Sequence, residues 1–380
     1  TLHRDGLARR EIGVLYRSNA QSRILEHALF SAGIPYRVYG GLRFFERMEV
    51  KHALAYLRLI ASSEDDSAFL RVVNFPARGI GARTLEALQE AAKAGDTSLH
   101  NAVPQLGGKA GNALGAFVAM IASLRKEAEG LALPEIVDHM LAKSGLLAHF
   151  QAEKDGADRL ENLQELINAA ALFVQEQDEH QDLAAFLAHA ALEAGEHQAG
   201  EGADALQLMT VHSAKGLEFQ AVFVTGLEEG LFPHEQSRNE ADGLEEERRL
   251  MYVAITRARA RLYLSFAQNR MLHGQTRYNV ASRFLDEIPA GLVKWLTPRV
   301  SGLPLPQPVL ASARDAATPR TLPRATQMGW RIGQNVVHAK FGQGVIVDAE
   351  GQGPDARLQI NFGRQGMKWL ALEYAKLSAA

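Results

Sequence analysis

Two segments with alternating strand and helix patterns flank a long helical stretch, and this arrangement constrains the fold more than any other feature. Residues 11–16, EIGVLY, alternate as a strand does, residues 23–33 have helical spacing, and YRVYGG follows as a second short strand. Strands resume at 206–211 and 221–225. A β-α-β order is typical of a parallel sheet, so we predict that the two outer segments share one.

The stretch between these segments is predicted to be all helical. Apolar residues three and four positions apart recur in six segments, as in amphipathic helices: EVKHALAYLRLI, TLEALQEAAKA, GAFVAMIASLRKEAEG, LPEIVDHMLAKSG, RLENLQELINAAALFVQEQ and LAAFLAHAALEAG. We therefore predict an α/β fold in which one parallel-sheet domain, 1–40 with 206–296, is interrupted by a large all-α insertion, 41–205.

The C-terminal part has a different composition. Residues 298–328 contain six prolines and four arginines without periodicity, so we predict a disordered linker at 297–328. Short alternating segments between glycine-bearing turns follow at 329–380, and they predict a small SH3- or Tudor-like β-barrel. We expect Trp369 and Tyr374 to lie in the core of that barrel.

Composition excludes several classes of function. The chain has no cysteine, which excludes disulfides, thiolate catalysis and cysteine-ligated metal sites. Its 13 histidines show no metal-ligand spacing, so we predict no metal site, and no apolar run is long enough to span a membrane. The net charge is −3, but residues 1–60 hold ten Arg and Lys against five Asp and Glu, which predicts a basic N-terminal face. The first residue is Thr1, and we expect a fragment of a longer protein.

The motif EEERRLMYVAITRAR, residues 245–259, combines a helical pattern with two arginines near its end. We predict a helix over 244–260. Arg257 lies seven positions after Leu250 and so on the same, inward face. An unpaired buried guanidinium is costly, so Arg257 needs an anionic partner. The partner is either a carboxylate of the same domain or a nucleotide phosphate.

Two further motifs have polar loops that could bind phosphate. LMTVHSAKGLEF, 208–219, has a strand followed by His212, Ser213 and Gly216, and loops at the carboxyl ends of parallel strands often bind ligands. RGIGART, 78–84, places two glycines before a helix, where backbone N–H groups can face a phosphate. Taken alone, each motif indicates an ordinary turn more than a phosphate-binding loop.

Together, TVHSAKGLEF and EERRLMYVAITRAR resemble motifs V and VI of the UvrD/PcrA/Rep group of superfamily 1 DNA helicases. LYRSNAQSR…YGGLRFFER resembles a stretch of that group's second RecA-like motor domain, and RGIGART resembles its duplex-binding glycine loop. The C-terminal barrel resembles the Tudor-like domain of the same group. The resemblance covers 1–296 as well as the barrel, with the motifs in the expected order.

The resemblance implies specific roles. Arg257 is the expected catalytic residue, reaching the γ-phosphate, and Gly216 and Glu218 complete an ATP-binding face. DNA contacts are expected at Arg17, Asn19, Arg43, Arg47, Gly79, Ile80, Gly81, Arg83, Thr84, Thr210, His212 and His273. Of these, Arg43 and Arg47 are expected from their charge to follow a DNA backbone, beside Tyr39, Phe44 and Phe45 as packing residues. His273 stands at the tip of a hairpin that resembles a strand-separating pin.

The implied function is the C-terminal part of an ATP-dependent 3′→5′ DNA helicase in bacterial DNA repair, in the cytoplasm with the nucleoid. Its expected partners are single-stranded DNA, the junction with duplex, an absent N-terminal motor domain, and RNA polymerase or repair proteins at the barrel. No G-x-x-x-x-G-K-[ST] occurs, so ATP and Mg²⁺ would need residues from that other domain, and this chain alone is expected to be inactive. A non-catalytic DNA- or protein-binding fragment and a helicase–nuclease relative are the alternatives.

Overall fold

The computed structural model describes residues 1–154, 156–177, 181–195, 202–240, 242–272, 275–297, 330, 334–350, 357–362, 367–372, 375 and 377–379. The predicted linker therefore lies almost entirely outside the described residues. The chain divides into two compact units. The first comprises 1–224, 253–263 and 271–275, and the second comprises 225–252, 264–270 and 276–380. No helix among the described residues is both long and apolar enough to cross a membrane.

The first unit contains a five-stranded sheet built from both outer segments of the sequence. Its strands are β1 (Ile12–Tyr16), β2 (Tyr36–Val38), β3 (Leu206–Thr210), β4 (Phe219–Val224) and β5 (Ala258–Leu264), in the order β2-β3-β1-β4-β5. The pairs β1–β3, β1–β4 and β2–β3 are parallel. The prediction of a shared parallel sheet is confirmed. Helix α1 (Ser22–Ser31) connects β1 to β2 along the chain, but these two strands are not neighbours, because β3 lies between them in the sheet.

The helical insertion forms a large apolar core of its own. Six of its helices match the predicted ones, and they are α2 (Met48–Ala61), α4 (Ala82–Ala94), α6 (Gly108–Glu127), α7 (Leu133–Ser144), α9 (Ala157–Glu176) and α10 (Leu183–Gly195). Three shorter helices were not predicted: α3 (Asp66–Val72), α5 (Leu99–Ala102) and α8 (Leu146–Gln151). Tyr56, Phe69, Phe117 and Phe150 are among its fully buried side chains. Burial of such rings contributes to the stability of the insertion.

Outside the insertion, helix α11 (Gly243–Thr256) precedes β5, and β6 (Asn269–Leu272) pairs with β7 (Gln275–Tyr278) as a two-stranded hairpin. A short helix, α12 (Arg283–Asp286), follows. The predicted hairpin therefore exists, but its tip residues, His273 and Gly274, lie outside the described residues.

The C-terminal part of the second unit is a small sheet of short strands, as predicted, and it has five strands. Its strands are β8 (Asn335–His338), β9 (Gly342–Glu350), β10 (Arg357–Asn361), β11 (Met367–Ala371) and β12 (Leu377–Ala379), in the order β11-β10-β9-β8-β12. All four pairings are antiparallel. Val336, Ile346 and Phe362 are among its core residues. Trp369 was expected there, but it is 42% exposed, and Tyr374 lies outside the described residues.

Candidate functional site

Four of the expected DNA-contacting residues lie at the carboxyl edge of the parallel sheet. Arg17 and Asn19 follow β1, Thr210 ends β3, and His212 follows it with an exposed side chain. The register pairs Tyr16 with Thr210, so both strands end at the same level. The strand order therefore brings together two groups of residues that are almost 200 positions apart in sequence.

Local hydrogen bonds shape this edge. The backbone amides of Arg17 and Ser18 both donate to the side-chain oxygen of Gln21, at 2.9 Å each. The hydroxyl of Thr210 accepts from the amide of Ser213 at 3.2 Å, which turns the chain after β3. Gly40 lies close by with a φ of +77°, and a Cβ there would stand 2.7 Å from the Ser213 hydroxyl. Only glycine fits both demands.

The segment 211–218 connects the two edges of the sheet. It begins where β3 ends and finishes where β4 begins, and β3 and β4 lie on opposite sides of β1, both parallel to it. His212 is thus near the carboxyl edge, whereas Glu218 is at the amino edge. Gly216, with a φ of +87° and an exposed backbone, lies between them. The motif LMTVHSAKGLEF therefore does not form one loop at one edge, because its residues lie at both edges of the sheet.

Arg257 lies at the amino edge, directly after α11. Its Nε donates to the Val253 carbonyl at 3.0 Å, and its terminal nitrogens donate to the Leu217 carbonyl at 2.9 Å and the Thr256 hydroxyl at 3.0 Å. The amide of Phe219 donates to the Arg257 carbonyl at 2.9 Å. Within the described part of the chain, no carboxylate forms an ion pair with Arg257. The positive charge is therefore held by neutral groups and keeps its attraction for an anion.

The predicted end of α11 was wrong. The helix ends at Thr256 and not at 260, and Arg259 lies in β5. Arg259 forms an ion pair with Glu218 at 3.0 Å, and both side chains are about half exposed. Exposed ion pairs are weak, so Glu218 can exchange this partner for a ligand hydroxyl at little cost. Glu218 and Arg257 thus lie close to each other in the fold, because both sequence neighbours of Glu218, Leu217 and Phe219, form hydrogen bonds with Arg257.

The expectation for Arg43 and Arg47 needs correction. Both are buried, at 6% and 7% exposure, and their donors bind protein acceptors. Arg43 donates to the carbonyls of Glu193 and Ala194 at the end of α10. Arg47 donates to Asn162 on α9 at 2.8 Å. These guanidinium groups connect parts of the fold and are not placed as contacts to a DNA backbone.

The basic N-terminal face is also smaller than predicted, because Arg23 is buried at 6% exposure and pairs with Glu165 at 2.5 Å. Phe44 and Phe45 are buried, as expected. Tyr39 is different, because it is 45% exposed rather than packed. It directly follows β2, at the same sheet edge as Arg17 and Thr210. Sequence alone gave no reason to separate it from the two phenylalanines.

The glycine loop before α4 has an exposed backbone and a buried side chain. Gly79 has a φ of +72°, Gly81 is the N-cap of α4, and a Cβ at either position would meet nothing within 4 Å. Ile80 is 2% exposed and holds the loop to the helical core. Arg83 is exposed in the first turn of α4, and Thr84 is half-buried beside it. The loop offers unshielded backbone at a helix N-terminus, which suits an anion.

Asn74, which no sequence motif singled out, shapes this loop. The side-chain oxygen of Asn74 accepts from the amides of Arg78, at 2.8 Å, and Ile80, at 3.1 Å. Arg78 in turn donates to the Tyr56 hydroxyl at 2.7 Å and to the Ser144 carbonyl at 2.9 Å. The signal was present in NFPARGIG, because Asn commonly accepts from backbone amides in turns that contain Pro and Gly.

The base of the β6–β7 hairpin is fixed by a buried carboxylate. Glu228 is fully buried, and its oxygens accept from the Arg270 side chain at 2.7 and 2.8 Å. They also accept from the Ala267 amide at 2.7 Å and the Asn279 side chain at 3.0 Å. A bidentate, fully bonded pair of this kind fixes geometry strongly. The hairpin is therefore held in a defined position relative to residues 225–230.

Comparison with known proteins agrees with this architecture. The model of the UvrD-like helicase C-terminal domain matches residues 2–269, and that of the PcrA/UvrD tudor domain matches residues 332–378. The chain is 46% identical to DNA helicase II of Escherichia coli (strain K12), with 99% of the chain aligned to 52% of that protein.

Two other relatives give the same picture. DNA helicase II of Haemophilus influenzae is 44% identical, with 97% of this chain and 51% of the relative aligned. ATP-dependent DNA helicase PcrA of Bacillus subtilis is 39% identical, with 97% and 52% aligned. The chain thus spans about half the length of these curated relatives. On these matches and on the sheet that carries its motifs, the chain belongs to the UvrD-like helicase C-terminal domain family.

Proposed function

We propose that this chain is the C-terminal part of an ATP-dependent DNA helicase that moves 3′→5′ along one strand in DNA repair. The observation that carries the proposal is the state of Arg257, whose guanidinium is positioned by two carbonyls and a hydroxyl without a carboxylate among the described residues. The relatives named as helicases support the same assignment.

The amino edge of the sheet is the proposed nucleotide side. Arg257 would contact the γ-phosphate, Glu218 would accept from the ribose hydroxyls, and the exposed backbone at Gly216 would lie near the phosphates. Arginine suits the charge that develops on a transferring phosphoryl group. ATP, bound together with Mg²⁺, would supply the phosphoryl group that is transferred. The printed sequence contains no phosphate-binding lysine motif, so we propose that a P-loop domain provides that lysine and the Mg²⁺ ligands.

The carboxyl edge of the sheet is the proposed single-strand side. Arg17, Asn19, Thr210 and His212 would contact the phosphodiester backbone, since small polar and basic side chains bind phosphate oxygens without reading sequence. Arg43 and Arg47 are left out of this set because they are buried.

The duplex would bind at the glycine loop, through the exposed backbone of Gly79 and Gly81 and the side chains of Arg83 and Thr84. Ile80 would position the loop from below. We also keep the proposal that His273 acts at the strand-separation point, and it rests on the resemblance of the hairpin alone.

We propose a role for each larger part of the chain as well. Residues 1–40 with 206–296 would act as the second motor domain, 41–205 as the insertion that carries the duplex contact, 297–328 as a linker and 329–380 as a protein-binding barrel. Partners such as RNA polymerase or repair proteins would bind that barrel, in the bacterial cytoplasm. Trp369 and Met367 are exposed on β11 and offer an apolar surface for such a contact.

The decisive experiment measures ATP hydrolysis, with and without single-stranded DNA, for this chain and for the longer protein that contains it with a P-loop domain. The chain alone should hydrolyse ATP negligibly. In the longer protein, Arg257→Ala should lower kcat by about 10³-fold or more with a modest loss of DNA binding. Arg257→Lys should also be impaired, because lysine lacks the planar, multi-donor guanidinium.

The matched control is Arg249→Ala, since Arg249 lies on α11 but is exposed and pairs only locally with Glu246. Its kcat should equal that of the wild type. Hydrolysis near the normal rate in Arg257→Ala, with thermal stability retained, would remove the assignment. Substantial hydrolysis by the isolated chain would show that the proposed division of the site is wrong.

A further inference from the structure

Three side chains from distant parts of the sequence converge between α1 and α10. His27 lies on α1, and His189 and Glu193 lie one helical turn apart on α10. One oxygen of Glu193 is 2.7 Å from Nδ1 of His27 and 3.0 Å from Nε2 of His189. The three donor atoms all lie within 4.8 Å of one another. Such spacing is close to that of ligand atoms around one divalent metal ion.

The environment has the other features of a metal site. The second ring nitrogen of His27, Nε2, is 2.9 Å from a carboxylate oxygen of Glu176 on α9. Histidines that bind metals commonly donate their other N–H to a carboxylate, which fixes the ring and its tautomer. The side chains of His27 and Glu193 are only 12% and 9% exposed, so the donors are held by their surroundings.

The cluster also borders a small cleft. The cleft has a volume of about 10 Å³, which is room for one water-sized particle. Arg23 also lines it, but its charge is compensated by Glu165 at 2.5 Å. The backbone carbonyl of Glu193 is fixed separately by Arg43, at 3.1 Å. Two carboxylates, Glu176 and Glu193, therefore give the cleft a negative excess that favours a cation.

We propose that His27, His189 and Glu193 bind one divalent transition-metal ion of the zinc class. Two imidazole nitrogens and one carboxylate oxygen suit zinc, with a water molecule as the fourth ligand. The ion would join α1, beside the parallel sheet, to α10 at the end of the helical insertion. No metal site was expected from the sequence, since His27 and His189 are 162 positions apart and no local spacing connects them.

Calorimetric titration with Zn²⁺ tests the proposal, on the 380-residue chain after treatment with a chelator. The wild type should bind one Zn²⁺, and its thermal midpoint should rise when the ion is added and fall on chelation. Glu193→Gln and His189→Gln should bind Zn²⁺ about 100-fold more weakly or worse. Glu176→Gln, which removes only the carboxylate behind His27, should weaken binding by about 10-fold to 100-fold.

The matched control is His139→Gln. His139 pairs with Glu127 at 2.7 Å on the surface, without a third donor, so this variant should bind Zn²⁺ as the wild type does. Zinc-edge X-ray absorption on the wild type should show two imidazoles in the first shell, and this measurement holds even if a variant fails to fold. Absence of binding by the wild type, unchanged affinity in Glu193→Gln, or a first shell without two imidazoles would each overturn the proposal.

Discussion

Replacement of Arg47 by methionine tests whether the buried arginines hold the fold together. Arg47 precedes α2, and its guanidinium donates to the Asn19 carbonyl at 2.9 Å, the Ser22 hydroxyl at 2.6 Å and the Asn162 side chain at 2.8 Å. It also lies 3.8 Å from a carboxylate oxygen of Glu26. The side chain thus connects the end of β1, α1 and α9. Methionine has a similar length but no donors, so Arg47→Met removes these bonds with little change in volume.

The expected loss of stability in Arg47→Met follows from the buried Glu26 carboxylate that the substitution leaves without a counter-charge. Glu26 is 4% exposed, and burial raises its pKa, although hydrogen bonds and the charge of Arg47 act in the opposite direction. Without Arg47, the carboxylate must remain buried without its counter-charge or take up a proton. Breaking a buried ion pair in this way costs about 3–5 kcal/mol. The free energy of unfolding of this unit should fall by that amount.

Chemical denaturation followed by circular dichroism at neutral pH measures the loss. Arg249→Met is the control, because that arginine is exposed, and its midpoint should not change measurably. Adding Glu26→Gln to Arg47→Met should recover part of the loss, since the orphaned charge is then absent. An unchanged midpoint in Arg47→Met would refute the structural role of Arg47. A double variant no more stable than Arg47→Met would show that Glu26 is not the source of the cost.

Three other predictions concern separate parts of the chain. Burial acts to raise the pKa of Glu193, but hydrogen bonds from two histidines lower it to about 2, and the hydrogen bond to Glu193 raises the pKa of His27. Without added metal, the stabilisation that the contact between Glu193 and His27 provides should be lost as pH falls from about 4.3 towards 2, and also as pH rises above about 6.5. In melting curves measured across this pH range, Glu193→Gln should flatten both changes. Glu228→Gln should lower the free energy of unfolding by about 2–4 kcal/mol in denaturant titrations, because a paired guanidinium then lacks its counter-charge; a loss no larger than that of a surface variant would contradict this. Gly344→Ala should destabilise the barrel by about 1–3 kcal/mol, since its Cβ would lie 2.6 Å from a ring carbon of Phe362, and an unchanged melting transition would show that the ring can move aside.

The positions of most strands and of the long helices along the chain could be predicted, because their patterns are local. The end of α11 could not, because two patterns overlap there. Residues 250–254 continue the helical spacing, whereas ARARLYL, 258–264, alternates with period two, and the alternation prevails from Ala258 onward. The short helices α3, α5 and α8 were missed for a related reason: four to seven residues are too few to show a period.

The residues of the candidate site could be predicted from the sequence, but their positions relative to one another could not. The motifs identified Arg257, Glu218 and His212, yet only the strand order shows that the first two lie at one edge of the sheet and the third near the other. The wrong predictions for Arg43 and Arg47 arose because both side chains are buried. Arg43 and Arg47 have the composition of a basic surface, and nothing local in sequence shows that Asn162 and the end of α10 supply their acceptors.

The segment 211–218 connects the two edges of the sheet and would couple them mechanically. Eight residues of backbone span at most about 28 Å when fully extended, and here they run in several turns from the carboxyl edge, the proposed strand-binding side, to the amino edge, the proposed nucleotide side. If both proposed ligands are held, a displacement at one end would reach the other end through these hydrogen-bonded turns. Most surface loops tolerate insertions, but this one would connect two proposed binding surfaces. If the proposed function is correct, an added residue in this segment would weaken the coupling between ATP hydrolysis and movement along DNA, while leaving both proposed binding surfaces intact.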